Sequence, residues 1–154
     1  MKVKVIVFTL AVFFISGIVA SADSPHMGTW KLNEAKSKFA AGATKNNTVV
    51  YEAAGSDIKV TVDGMDGSGA AVHSEWTGKF DGRYYAVTGS ATGDMRSYTR
   101  VNSHTLRFRE KKGGKVVLTG TITVSRSGKS RTVTTTSKNA QGKWVTNVAV
   151  FDKQ

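Results

Sequence analysis

The chain has 154 residues, with 22 Lys and Arg against 11 Asp and Glu, a formal net charge of +11 and no cysteine. That length suits one domain of ordinary size, and the lack of thiols excludes disulfides, zinc–thiolate centres and a cysteine nucleophile. The basic balance points to anionic partners.

Residues 1–22 read as a signal peptide. Lys2 and Lys4 precede an almost wholly apolar run from Val5 to Val19, and Ala20-Ser21-Ala22 supplies the small-x-small cleavage pattern. The run is shorter than the roughly 20 residues of a spanning helix, and no basic cluster follows it, so no transmembrane segment is expected in the mature chain. Residues 23–154 then form one domain with a periplasmic or secreted location. Outside the cytoplasm, lipid headgroups, glycans or small acids replace nucleic acid as the expected anionic partner.

Pro25 is the only proline, and His26 beside it reads as part of a flexible remnant before the first strand. Met27 to Asn33 is that strand, and Glu34 to Lys45 has room for one short helix or turn. From Asn46 onward, strand and turn alternate. Thr48 to Ala53 runs to Ala54-Gly55-Ser56-Asp57, and Ile58, Val60 and Val62 then alternate with Lys59, Thr61 and Asp63, the pattern of a half-buried strand. Val72 to Phe80 precedes Asp81-Gly82, a two-residue hairpin signal, with Arg83 to Thr88 beyond it. Met95 to Val101 and His104 to Lys111 flank Asn102-Ser103. Val116 to Arg126, Ser130 to Lys138 and Trp144 to Asp152 complete the series. About ten short strands with tight turns predict an all-β domain, a single antiparallel up-and-down barrel of 8–10 strands. A two-sheet sandwich is the alternative.

Gly28-Thr29-Trp30-Lys31-Leu32 opens the first strand and resembles the Gly-x-Trp signature of the calycins. The chain is similar to their fatty-acid-binding branch and to small exported lipocalin-like bacterial proteins. That resemblance implies a barrel with Trp30 plugging one end and a ligand inside. The Arg-x-Tyr that grips a carboxylate near the end of fatty-acid-binding proteins has no counterpart in Val150-Phe151-Asp152-Lys153.

Catalytic patterns are weak, so no enzyme, metal or cofactor is expected. His73 and Glu75 share a strand face but suit a solvated exterior. Asp63-Gly64-Met65-Asp66-Gly67 glances at a calcium loop, yet Met65 occupies a ligand position and a turn fits better. Trp30, Trp76, Trp144, Tyr51, Tyr84 and Phe108 are candidates to line a cavity, or simply to fill a small barrel. The sharper cluster lies about Asn102-Ser103. A two-residue loop there would pair Arg100 with Thr105, Tyr98 with Arg107 and Arg96 with Arg109. Arg96, Tyr98, Arg100, Arg107 and Arg109 would then share one face, with Glu110 pointing the other way. Guanidinium groups around a phenol suit a carboxylate or phosphate, or form a solvated outer face.

The expected binding residues are therefore these five with Trp76 and Tyr51. The expected function is non-catalytic binding of a small amphipathic or acidic ligand. The alternative is an envelope-interaction module docking a basic face on anionic surfaces, with a filled barrel core. A cavity larger than a few waters separates the two. The intact mass of the exported protein should correspond to a chain beginning at Asp23; a species that keeps Met1 and partitions into membranes contradicts the leader assignment.

Overall fold

Period-two alternation is the main determinant of the architecture. In the computed structural model, which describes residues 24–154, ten strands alternate an inward and an outward face. They are β1 (Gly28–Leu32), β2 (Lys45–Ala54), β3 (Asp57–Met65), β4 (Ala71–Gly78), β5 (Asp81–Thr88), β6 (Met95–Asn102), β7 (Thr105–Lys112), β8 (Lys115–Val124), β9 (Ser130–Lys138) and β10 (Trp144–Lys153). The signal peptide expected over residues 1–22 lies outside the described residues.

Each strand pairs antiparallel with the next, and β1 pairs with β10, closing an up-and-down barrel. No sandwich forms. This architecture fits the fatty-acid-binding type of calycin fold. The helix expected after the first strand is a single 3-10 turn, Glu34–Lys36, whose N-cap Asn33 side chain accepts a hydrogen bond from Lys36 N. Among the described residues no helix is long and apolar enough to cross a membrane.

The core follows the inward face. Ile58, Val60 and Val62 of β3 are buried, as the alternation predicts, and so are Leu106 and Phe108 of β7. Gly120 on β8 sits opposite Phe108, and a Cβ there would come within 2.4 Å of its ring. The missing side chain is the space the ring occupies.

Trp30 is fully buried and its indole Nε1 donates to the His26 carbonyl at 2.9 Å. The segment before β1 thus folds back under the barrel and shuts that end. His26 is correspondingly buried and no part of a flexible remnant.

Two turn readings are corrected. Asp81-Gly82 is not the tip of a hairpin, because β4 ends at Gly78 and β5 begins at Asp81. Asp81 instead bends the start of β5 from within, its carboxylate accepting from Arg83 N at 3.0 Å and from the Tyr85 hydroxyl at 2.9 Å. That shift leaves Phe80 free to enter the closed end, stacked on Trp76 at 6.4 Å and against Tyr98 at 5.6 Å.

The β6–β7 hairpin also departs from its expected register. Asn102 pairs with Thr105, a register irregularity follows at Val101, and from there Arg100 pairs with Leu106, Tyr98 with Phe108 and Arg96 with Glu110. A slip of one residue flips a strand face for face. Arg107 and Arg109 therefore point outward, opposite Thr121 and Thr119 of β8, while Glu110 turns inward beside Arg96.

Replacing Trp30 with Ala should cost about 3–5 kcal/mol, the range for truncating a buried aromatic. Chemical denaturation checks it, and a loss below about 1 kcal/mol would mean that the ring does not hold the closed end.

Candidate ligand-binding cavity

The interior is not filled. A cavity of about 420 Å³ extends from Arg131, Tyr51 and Phe151 near the closed end to exposed Gly42 and Gln141 at the other, where it opens. Ten strands enclose more room than the eight whose side chains just fill a barrel.

Two arginines face this space, and their surroundings differ. Arg96 is neutralised. Glu110, 1% exposed, accepts on Oε1 from Arg96 Nη2 and from Arg96 Nε at 2.7 Å. Its Oε2 accepts from the Thr92 hydroxyl and, at 3.4 Å, from Ser90 Oγ, which ties the β5–β6 loop to the pair. Arg96 Nη1 reaches the Tyr98 hydroxyl at 3.3 Å. Burial opposes the charge on Arg96, but the Tyr98 phenol and the Glu110 carboxylate outweigh it and raise its pKa. The Tyr98 phenol is itself held above its ordinary value, first by burial and then by neighbouring Tyr51.

Arg131 has no such partner. It is 2% exposed, and no acidic group forms an ion pair with it among the described residues. Its guanidinium sits 4.8 Å from the Trp30 ring, 4.8 Å from Phe151 and 5.0 Å from Tyr51. Aromatic faces attract a cation but leave its N–H edges unsatisfied. Nε and Nη1 are both buried without a hydrogen-bond partner. Desolvation depresses the Arg131 pKa, with the Tyr51 and Tyr98 hydroxyls acting against it. A buried guanidinium with free N–H groups is a fork for a carboxylate or a similar oxyanion.

The residues singled out in the sequence divide accordingly. Tyr51, Tyr98, Arg96 and Phe108 line the cavity. Trp76 is buried behind its wall, its indole donating to the Arg96 carbonyl at 3.0 Å and its ring against Tyr98 at 4.8 Å. Arg100, at the end of β6, is exposed and lies over Phe80 at 5.9 Å. Arg107 and Arg109 are exposed outer residues, so the expected five-residue face does not exist. Trp144 is 58% exposed, and Tyr84 lies beneath Lys111 Nζ at 3.9 Å. The sequence reading missed Arg131 and His26.

The other polar motifs are surface features. His73 Nδ1 meets Asp63 Oδ1 at 2.6 Å on the exterior, and that contact raises the histidine pKa. Asp66 Oδ1 accepts from Ser68 N at 2.9 Å and Ala70 N at 3.0 Å, the self-satisfied turn expected there.

No protein-family model matches the sequence, and no curated protein matches it. Among solved structures the chain is similar to EF1p2_mFAP2b bound to DFHBI, at 11% identity and a TM-score of 0.47, covering 84% of this chain and 94% of that one. It is also similar to a redesigned β-barrel, mFAP1, bound to DFHBI, at 12% identity and a TM-score of 0.43, covering 84% and 95%.

His26 gives the fold a pH dependence. Desolvation, then the charge of Arg131, lower its pKa from 6.5 to about 4. The unfolded chain therefore binds a proton that the folded chain refuses, and stability falls as pH drops from about 6.5 towards about 4. The full loss is about 3 kcal/mol. Denaturation midpoints across that window should decline in the native protein and decline less in His26→Phe; parallel curves would mean that His26 titrates normally.

Proposed function

We propose that this is an exported, non-catalytic binding protein that holds a small amphipathic acid inside the barrel, with the acid group on Arg131. One observation carries the reading. A buried cation without a carboxylate, its Nε and Nη1 free, forms part of a cavity large enough for a small ligand. A volume of about 420 Å³ lies within the range of small-molecule sites. Aliphatic wall residues such as Val49, Val62, Leu118 and Ile122 suit an apolar tail. The leader sequence supports a periplasmic or secreted location. Docking of a basic face with a filled core is the weaker reading, because the core has a cavity and the arginines expected on one face are split between inside and outside.

Laurate and dodecanol share a tail and differ in the head, so they separate the two contributions. Laurate should bind about 10–100-fold tighter, the worth of a charge-assisted hydrogen bond of about 1.5–3 kcal/mol. Arg131→Met should erase that preference. It should also stabilise the empty barrel by about 1–3 kcal/mol, because unsatisfied buried donors are removed. Calorimetric titration and thermal melting measure both. Equal affinity for acid and alcohol in the native protein, or binding of neither, overturns the reading.

A further inference from the structure

We propose that the closed end of the barrel takes up a proton together with its anion, His26 becoming charged when an anion seats on Arg131. The inference rests on the acid-binding reading above.

His26 is 1% exposed, and neither of its ring nitrogens has a hydrogen-bond partner. It is fixed in place by its own carbonyl, which accepts from Trp30, and by edge contact with Phe80 at 6.3 Å. The charged and titratable groups that face it are Arg131 from β9, Arg100 from β6, His104 from the β6–β7 turn and Lys153 from β10. All four are bases. No carboxylate is among the groups that act on it most strongly, and none hydrogen-bonds it among the described residues; Trp30 of β1 and Phe80 of the β4–β5 connection are its contacts from those elements. His104 Nδ1 and the Ser24 hydroxyl are also buried without partners. Every unpartnered buried side-chain atom among the described residues therefore belongs to Ser24, His26, His104 or Arg131.

Such a cluster is short of one thing, a negative charge. In the empty barrel a proton on His26 would put a second buried cation near Arg131, and the imidazole stays neutral. An anion on Arg131 cancels that repulsion and adds an attraction across a poorly screened interior. His26 does not line the cavity, so it acts on the anion through the field and not by contact. Linkage is reciprocal: by whatever factor the anion favours the proton, the proton favours the anion. Affinity should therefore rise as pH falls.

Decanesulfonate is a suitable probe because its own charge does not titrate in this range. Its dissociation constant should fall roughly fivefold between about pH 8 and about pH 5. The His26 ring resonances should titrate at higher pH in the loaded protein than in the empty one. His26→Phe and His26→Gln should each bind with the pH 8 affinity of the native protein at both pH values, and two replacements guard against one that folds poorly. Equal affinity at both pH values with an unmoved His26 titration overturns the inference and leaves acid binding intact. A pH dependence kept by both variants, or carried by His104 resonances, also overturns it. Failure to bind at either pH removes the acid-binding reading and the inference together.

Discussion

Closure of β1 on β10 is the constraint on which the rest depends. Without disulfides, an open sheet of this composition would present two unpaired edges. The seam is short, pairing Trp30 with Lys153, Lys31 with Asp152 and Leu32 with Phe151. Beyond it the chain continues along the same edge of β10. Asn33 N donates to Val150 O at 2.8 Å, Lys38 and Val148 exchange backbone hydrogen bonds of 2.7 and 2.8 Å, and Ala40 N donates to Asn147 Oδ1 at 2.7 Å. The 3-10 turn is thus a spacer that lets a five-residue strand and its tail cover a ten-residue partner. The same seam builds the closed end. It sends Trp30 and Phe151 inward, and Arg131, paired with Phe151 across β9 and β10, lies against both rings.

Inside the barrel, low polarisability makes each charge a matter of local supply. Arg96 and Glu110 satisfy one another, and the surplus capacity of the carboxylate is taken by Thr92 and Ser90. Such a pair is expensive to break, because either partner alone would be a buried unpaired charge. It also has little left to offer a ligand. Arg131 is the reverse case: three rings favour its charge, yet its Nε and Nη1 have no hydrogen-bond acceptor. An exposed pair such as Lys59 with Glu75 on the outer face shows how little the surface requires by comparison, since water completes whatever the protein leaves out.

The strands were legible because alternation is strong wherever apolar and charged residues share a strand. Ile58 to Asp63 left no doubt of its two faces, and ten such units with tight turns left a barrel as the economical solution. What the sequence hid depended on single residues. One extra residue at Val101 reversed the face of β7 relative to β6, so that Leu106, Phe108 and Glu110, not Arg107 and Arg109, share a face with Arg96 and Tyr98, and nothing in Arg100-Val101-Asn102 announces it. Arg131 was hidden differently. It is followed by Thr132, Val133, Thr134, Thr135, Thr136 and Ser137, so β9 carries hydroxyls on both faces and alternation could not say which side Arg131 takes. His26 reads as part of a flexible remnant because it closely follows the expected leader. Its burial comes from a carbonyl bond to Trp30, a contact that no periodicity encodes.

The features that make the closed end unfavourable when empty are those that would recognise a ligand. An orphaned guanidinium and a neutral, unpartnered imidazole lower the stability of the free barrel, and proteins keep such groups where function requires them. Their position also limits what can bind on the proposed reading. The charge of Arg131 lies at the closed end, whereas the charge of Arg96, nearer the opening, is already cancelled by Glu110. A ligand with its acid group near the mouth would meet Lys138, an exposed cation that water already solvates, and would leave Arg131 uncompensated. One with a single terminal acid can instead enter head first, seat its charge on Arg131 and leave its tail along Val49, Val62, Leu118 and Ile122. The pairing of one arginine and the isolation of the other therefore give the cavity a direction.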